Sequence, residues 1–406
     1  MTMRVLIADK FGGNGVDALR AAGCDVVLDP GLNGQALRDA IVKTLCRILV
    51  VRSTEVTADM LQAGNTLCLV VRAGAGVNTI DVTAASQRAI LVANCPGKNA
   101  IAVAELTFAL ILGLDRRVCE NVVDLRNGRW NKREYAAARG LKGRTLGVVG
   151  LGRIGEAVVR RALAFEMDVV AWSRSLTDER AEALEIVRCE SPADVAAKCD
   201  ILTLHLAATP DTDGIIDADV VGRLHRGSYV INTARSEVMD YEALARAVKE
   251  KDLRVGLDVF PDEPSEGQAP FTDPILDAGG IVYGTHHIGA STDQAQQAIA
   301  AETVRIVTHY VHTGHVANCV NLRARSPARY VAVVRHRNRP GVLAHVLGVI
   351  SHAGVNVEEM ENVICEDTQG ACAQIKLDKP LEKELLDKIE RGNEHVWGVS
   401  FVEVGT

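Results

Sequence analysis

Short apolar runs rich in β-branched residues recur at 5–8, 48–51, 69–72 and 91–93, separated by Ala/Leu-rich stretches with helical spacing such as 15–22 and 58–63. Alternation of this kind predicts strand–helix–strand units around a parallel sheet. A second series of runs, at 146–149, 169–172, 201–204, 229–232, 254–258 and 281–283, predicts a second complete doubly wound sheet. Two longer helical patterns, 100–127 and 292–313, bracket that series. The chain is therefore expected to leave a first domain, build a second, and return. Beyond Val316 a basic, Pro-containing, aperiodic stretch reads as a linker. The remaining 328–406 has strand, helix, strand, strand, helix, strand character, the order of a ferredoxin-like βαββαβ unit. The expected boundaries are 1–98 with 290–320 for the first domain, 99–289 for the second and 328–406 for the third.

Composition narrows the function classes. Hydrophobic residues make up 48% and charged residues 24% of the 406, which excludes a disordered chain or a coiled coil. Lys plus Arg against Asp plus Glu is 45 − 52 = −7, so no global basic field is available for nucleic acid or an anionic membrane. The ten cysteines show no C-x-x-C pair and no zinc-like spacing with histidine, and no metal is expected. Scattered thiols suit a reducing compartment, and the N-terminus runs into a strand without the apolar stretch of a signal peptide; cytoplasmic location is the expectation. The longest apolar run, 101–114, is too short to span a bilayer and reads as a buried helix.

Gly150-Leu151-Gly152-Arg153-Ile154-Gly155 is a G-x-G-x-x-G placed directly after a strand and before a helical stretch, 156–165. Gly150 suits a tight turn, Gly152 a close backbone approach to a pyrophosphate, and Gly155 close helix–strand packing. The helix N-terminus favours the anion. A dinucleotide is the expected cofactor, with Arg153 and Ile154 in its loop and His205 and Thr233 at neighbouring strand ends. The next strand should end in an acid for the adenosine ribose, but Ser173 stands there, followed by Arg174. Missing repulsion and an arginine admit a 2′-phosphate, so NADP stays open beside NAD.

Three further strand ends carry chemistry. Arg235 follows the run 229–232, and its planar fork suits a carboxylate with its neighbouring carbonyl oxygen. Glu263 lies in D-V-F-P-D-E-P at 258–264, and His287 in T-H-H-I-G-A-S-T at 285–292. A carboxylate beside an imidazole makes a tuned acid/base pair. His286 beside His287 does not imply a metal if both lie on a strand, where neighbouring side chains point apart.

With these motifs, the stretch from Arg4 to about Asn321 resembles the D-isomer-specific 2-hydroxyacid dehydrogenases: G-L-G-R-I-G at 150–155, N-T-A-R at 232–235, D-V-F-P-D-E-P and H-I-G-A-S-T at 287–292. The resemblance implies two Rossmann-like domains and a nicotinamide cofactor. It implies catalytic roles for Arg235 (orienting substrate), His287 (exchanging the proton) and Glu263 (partnering His287), with Asp258 near the nicotinamide amide. The chain departs from the family pattern at Ser236, where Gly is common, at His286, where Pro is common, and at Ser173.

Arg72-Ala73-Gly74-Ala75-Gly76 offers a run of backbone amides beside a strand end, and Arg52-Ser53 ends the preceding strand. Arg52 and Arg72 either converge on a doubly charged group such as phosphate or pair with acids. These segments, with Lys98 and Asn99 in N-C-P-G-K-N at 94–99, are similar to the substrate loops of the 3-phosphoglycerate-oxidising branch of the family. That likeness implies 3-phosphoglycerate as substrate, with positive charge added by Lys132; a glyoxylate/hydroxypyruvate reductase or a dinucleotide-sensing scaffold are the alternatives. The C-terminal segment resembles an ACT domain, which implies a serine effector held by His336, Asn338 and Asn356 across a dimer interface, the alternative being a domain used only for dimerisation; the exposed edge of a single such sheet favours a homodimer or homotetramer.

Overall fold

The computed structural model describes residues 2–264, 268–323, 325–366 and 368–404. It divides into two compact units, Met1–Asn321 and Leu322–Thr406.

The first unit holds two parallel sheets. Five strands in the order 2-1-3-4-5 form one, and seven in the order 7-6-5-4-1-2-3, each counted along the chain, form the other. Strands such as Ile48–Val51 and Ile201–Leu204 are buried along their whole length. A parallel sheet covered by helices on both faces explains why they read as continuous apolar runs rather than alternating ones. Helix Ala100–Arg116 packs on strands Tyr229–Asn232 and Arg254–Leu257 of the larger sheet. Helix Asp293–Thr313 returns to the smaller one, where Ile299, Ile306 and Val307 close a core with Val5, Ile7 and Val50.

Two expectations change. The helical pattern 100–127 breaks at Arg117, whose φ of 51° is left-handed, and a separate helix, Val118–Arg126, buries none of its residues. The strands Cys24–Leu28 and Val187–Arg188, which no apolar run announced, are the outer strands of their sheets. An edge strand needs only one well-covered side, so its hydrophobic pattern is weak.

Glu302 fastens the returning helix to the crossing between the sheets. Its carboxylate is 9% exposed and accepts from Arg305 (2.6 Å) and Asn318 (2.7 Å), with Lys98 at 3.3 Å. These donors, Arg305 foremost, hold its pKa at about 2 against an ordinary 4.5. A depressed carboxylate stabilises the fold above its unfolded pKa and stops doing so as pH falls through its folded one. Glu302→Gln is therefore expected to lose about 2 kcal/mol at neutral pH, discounted for the exposed Arg305 and Lys98. Thermal unfolding should show the gap to the native chain closing as pH falls from 4.5 towards 2.

The second unit is one antiparallel sheet in the order 2-3-1-4 under helices Val342–His352 and Lys383–Arg391. Ala332, Val334, Ile375 and Leu377 meet Val346, Ile350 and Ile389 in its core.

Candidate active site

Open α/β sheets bind ligands beyond the carboxyl ends of their strands, where the strand order reverses. In the larger sheet that point lies between the adjacent strands Thr145–Val149 and Ile201–Leu204, so Gly150 and His205 face each other there. The three glycines have separate reasons. Gly150 has φ +97°, and a Cβ on it would stand 2.6 Å from the His205 carbonyl oxygen. A Cβ on Gly155 would overlap the Gly150 carbonyl. A Cβ on Gly152 would meet none of the described residues within 4 Å apart from its chain neighbours, which leaves room for a pyrophosphate at the start of helix Arg153–Ala164. Ile154 is half-buried in the core beneath the loop. Burial pushes the His205 imidazole down to about 3, so it stays neutral, 3.0 Å from Thr203 Oγ1. Ser173 is half-buried and Arg174 exposed, paired with Asp211 at 3.0 Å.

The remaining candidate residues are assembled from several strand ends. Thr233 is buried, its hydroxyl 3.0 Å from that of Thr107 on helix Ala100–Arg116, which anchors the turn leading to Arg235. Arg235 lies against the smaller domain's glycine loop: a Cβ on Gly76 would stand 3.1 Å from its Nη2. Gly74 leaves room for the Arg72 guanidinium, which a Cβ would overlap. Burial, then the charges of Arg235 and Arg52, push Arg72 down to about 10, and its buried Nε has no hydrogen-bond partner among the described residues. Asp9 shapes the neighbouring turn, accepting from the N–H groups of Arg52 (2.6 Å) and Thr54 (3.3 Å) and from the Ser53 hydroxyl (3.1 Å). Among the described residues none of Arg52, Arg72 and Arg235 has a carboxylate within ion-pair distance. Arg235 and Arg52 both repel Arg72, and guanidiniums that lack a carboxylate in direct contact are suited to an anion.

The Glu263–His287 pair is formed. Glu263 Oε2 stands 2.6 Å from His287 Nδ1, and Oε1 accepts the Phe260 N–H at 2.8 Å. Burial alone would raise the Glu263 pKa, but these hydrogen bonds, with the Arg235 charge, hold it below 4.5. Asp258, 1% exposed, accepts from Thr285 Oγ1 (2.6 Å) and from the N–H groups of Ile288 and Gly289 (2.8 Å each). Its carboxylate thereby clasps the turn that carries His287, whose φ of 51° is left-handed. His286 and His287 sit in this turn, beyond strand Ile281–Gly284, so the pleat does not separate them as the sequence reading assumed.

Other expected contacts go elsewhere. Arg153 donates from Nη1 to the Pro96 carbonyl (2.8 Å) and lies over Gly97, which ties the cofactor loop to the crossing between the sheets. Lys98 is engaged by Glu302. The Asn99 side chain does not cap helix Ala100–Arg116, and its buried Oδ1 has no hydrogen-bond partner among the described residues. Ala73 is buried, its N–H on the Val51 carbonyl. Lys132 opens the short helix Lys132–Tyr135, whose neighbours Asn131, Arg133 and Glu134 line a pocket with Asp115 and Arg254; that pocket lies at the amino ends of the strands, opposite Arg235. Within the second unit His336 is 1% exposed, with ring nitrogens on the Arg337 carbonyl (2.9 Å) and Asn362 Oδ1 (3.0 Å). Asn338 donates to the Thr368 carbonyl at 3.1 Å. Asn356 bonds Glu358 and Asp378, at the opposite end of the sheet from His336.

The sequence reading did not single out Asp9, Asn232, Gly97 or Tyr241. Asp9 had a visible mark, a carboxylate directly after an apolar strand; for the others only the folded chain supplies the neighbour.

Comparison with known proteins fits this geometry. The family model described as D-isomer specific 2-hydroxyacid dehydrogenase, NAD binding domain, matches residues 108–309. A D-3-phosphoglycerate dehydrogenase from Methanocaldococcus jannaschii is 32% identical over 397 residues, 96% of this chain and 70% of that protein. The chain belongs to the D-isomer-specific 2-hydroxyacid dehydrogenase family. It is an NAD-dependent oxidoreductase of that family. A D-3-phosphoglycerate dehydrogenase from Bacillus subtilis is 31% identical over 85% of this chain and 64% of its own length, so part of such relatives has no counterpart here. Among solved structures, the NAD+-bound 3-phosphoglycerate dehydrogenase of Entamoeba histolytica is 26% identical with a TM-score of 0.66, covering 79% of this chain and 99% of that one. The D-lactate dehydrogenase of Aquifex aeolicus, complexed with NAD and lactic acid, is also 26% identical, with a TM-score of 0.67, covering 79% of this dehydrogenase and 100% of that chain.

Proposed function

We propose that the chain oxidises 3-phosphoglycerate to 3-phosphohydroxypyruvate with NAD, the opening step of serine synthesis. The observation that carries this reading is the set of three arginines beside the Glu263–His287 pair that have no carboxylate within ion-pair distance among the described residues. A 2-hydroxy acid alone carries one negative charge; a phosphorylated one adds about −1.5 to −2 at neutral pH and matches three guanidiniums. Arg235 orients the carboxylate and C2 oxygen, while Arg52 and Arg72 face the remaining charge. Glu263 is ionised and accepts the Nδ1 proton of His287, which leaves Nε2 to take the proton of the C2 hydroxyl. A dinucleotide held at the Gly150–Gly155 loop and the start of helix Arg153–Ala164 would supply the hydride acceptor for C2. The names of the relatives support the same substrate.

Nicotinamide absorbance, followed with 3-phosphoglycerate, D-glycerate and D-lactate in turn, tests the substrate. The phosphorylated acid is expected to exceed the others in kcat/KM by at least about 10²-fold, because loss of the phosphate would leave half-buried cationic groups unpaired. Equal or better turnover of D-lactate overturns the reading. NAD is favoured over NADP because Asp211 already answers the Arg174 charge.

The proposal extends to assembly and control. His336 and Asn356 lie at opposite ends of their sheet, so a serine site using both requires two copies, as in a homodimer or homotetramer. Inhibition by serine that is lost in Asn356→Ala supports this part; turnover indifferent to serine removes it. All ten cysteines are free thiols, in keeping with the cytoplasm.

A further inference from the structure

Arg235 and the Glu263–His287 pair stand on different strand ends, and their reaction requires a fixed separation between the anion clamp and the proton acceptor. One side chain spans the two turns. Tyr241, the first residue of helix Tyr241–Lys251, donates its phenolic proton to the Val259 carbonyl at 2.7 Å. The phenolic oxygen of Tyr241 in turn accepts from Asn232 Nδ2 at 3.4 Å.

Each contact leads to one half of the site. Asn232 is fully buried at the end of its strand; its Nδ2 also donates to the Arg235 carbonyl (2.9 Å), and its Oδ1 accepts the Ala234 N–H (3.0 Å). The backbone entering and leaving Arg235 is thus held by Asn232. Val259 lies between Asp258, which clasps the His287 turn, and Phe260, whose N–H holds Glu263. Burial raises the phenol pKa, so its proton is present at any working pH. The helix behind it is anchored: Asp240 caps the Ala243 N–H at 2.8 Å and donates its own N–H to the Ile216 carbonyl.

We infer that Tyr241 is a positioning residue whose phenol fastens the Arg235 turn to the Asp258–Glu263 turn and so sets the spacing between the substrate clamp and the acid/base pair. This rests on the roles given above to Arg235, Glu263 and His287. No atom of Tyr241 is placed against substrate or cofactor; its effect passes through two backbone segments.

Tyr241→Phe keeps the ring and removes the hydroxyl. It is expected to lower kcat with 3-phosphoglycerate roughly tenfold and to raise KM for that acid, as a small misplacement of the reacting groups would. KM for NAD should stay unchanged, and the isotope effect with C2-deuterated substrate should rise. Ala247→Gly, further along the same helix, serves as the comparison for simple destabilisation and should leave the kinetics of the folded enzyme as they are. Native kinetics in Tyr241→Phe, an equal rise in KM for NAD, or the same kinetic change in Ala247→Gly would each overturn the inference. If the native chain ignores 3-phosphoglycerate but oxidises another D-2-hydroxy acid, the substrate reading fails, and the same comparison with that acid still decides the role of Tyr241.

Discussion

His287→Asn is expected to lower kcat for 2-hydroxy-acid oxidation by about 10³-fold, within the range lost when a positioned acid/base group is removed. The substitution is suited to the site. Residue 287 has left-handed backbone, which asparagine tolerates better than most residues, and its side chain is 46% exposed, so the fold loses little packing. KM for NAD should stay near native, because the glycine loop is untouched. Glu263→Gln should produce a smaller loss, since the amide keeps a hydrogen bond to Nδ1 but no longer stabilises an imidazolium. The native Glu263 pKa lies below 4.5, so its carboxylate is ionised above that value and its support for His287 fades only as pH falls through the lowered pKa. Rate–pH profiles of the native chain and Glu263→Gln, with circular dichroism to confirm folding, check this. Native-like turnover in His287→Asn would remove the proposed acid/base role.

A paired substitution in the cofactor loop should separate folding from binding. At Gly152 a methyl group meets none of the described residues within 4 Å apart from its chain neighbours, and the backbone, φ −88° and ψ −162°, is extended. Gly152→Ala should therefore melt like the native chain yet crowd the pyrophosphate. An overpacking cost of about 1–3 kcal/mol corresponds to a Kd for NAD raised by roughly five- to 150-fold. At Gly155 the same methyl overlaps the Gly150 carbonyl oxygen, a backbone atom that cannot swing away. Gly155→Ala should lose both stability and binding. Thermal unfolding with and without NAD reads the difference: Gly152→Ala should lose mainly the shift caused by NAD, Gly155→Ala also the melting temperature without it.

Much of this was legible along the chain because of where function sits in parallel sheets. The strands 48–51, 69–72, 201–204 and 229–232 announce themselves as unbroken apolar runs, and the residues just after them fall at the ligand-binding ends. Arg52, Arg72, His205 and Arg235 could be named from that rule. What escaped the pattern had a local cause. The break at Arg117 carries no glycine or proline, and the side chain is held by Glu120 and Glu134, residues that only the folded turn brings within reach. Lys98 sits in the right loop, yet a buried glutamate from a helix some two hundred residues later takes its charge.

The order of strands and helices, the glycine loop and the residue types able to clamp an acid and move its proton are properties of the sequence itself, because periodicity and strand-end position are local. Which charges remain unpaired was decided only in three dimensions. Lys98 found Glu302 and Arg174 found Asp211, whereas Arg52, Arg72 and Arg235 came together with no carboxylate in ion-pair contact among the described residues. The left-handed turn at His287 is likewise held from outside itself, by Asp258. Electrostatic pairing and backbone restraint depend on distances between segments remote in the chain, and those distances exist only after the two sheets have packed.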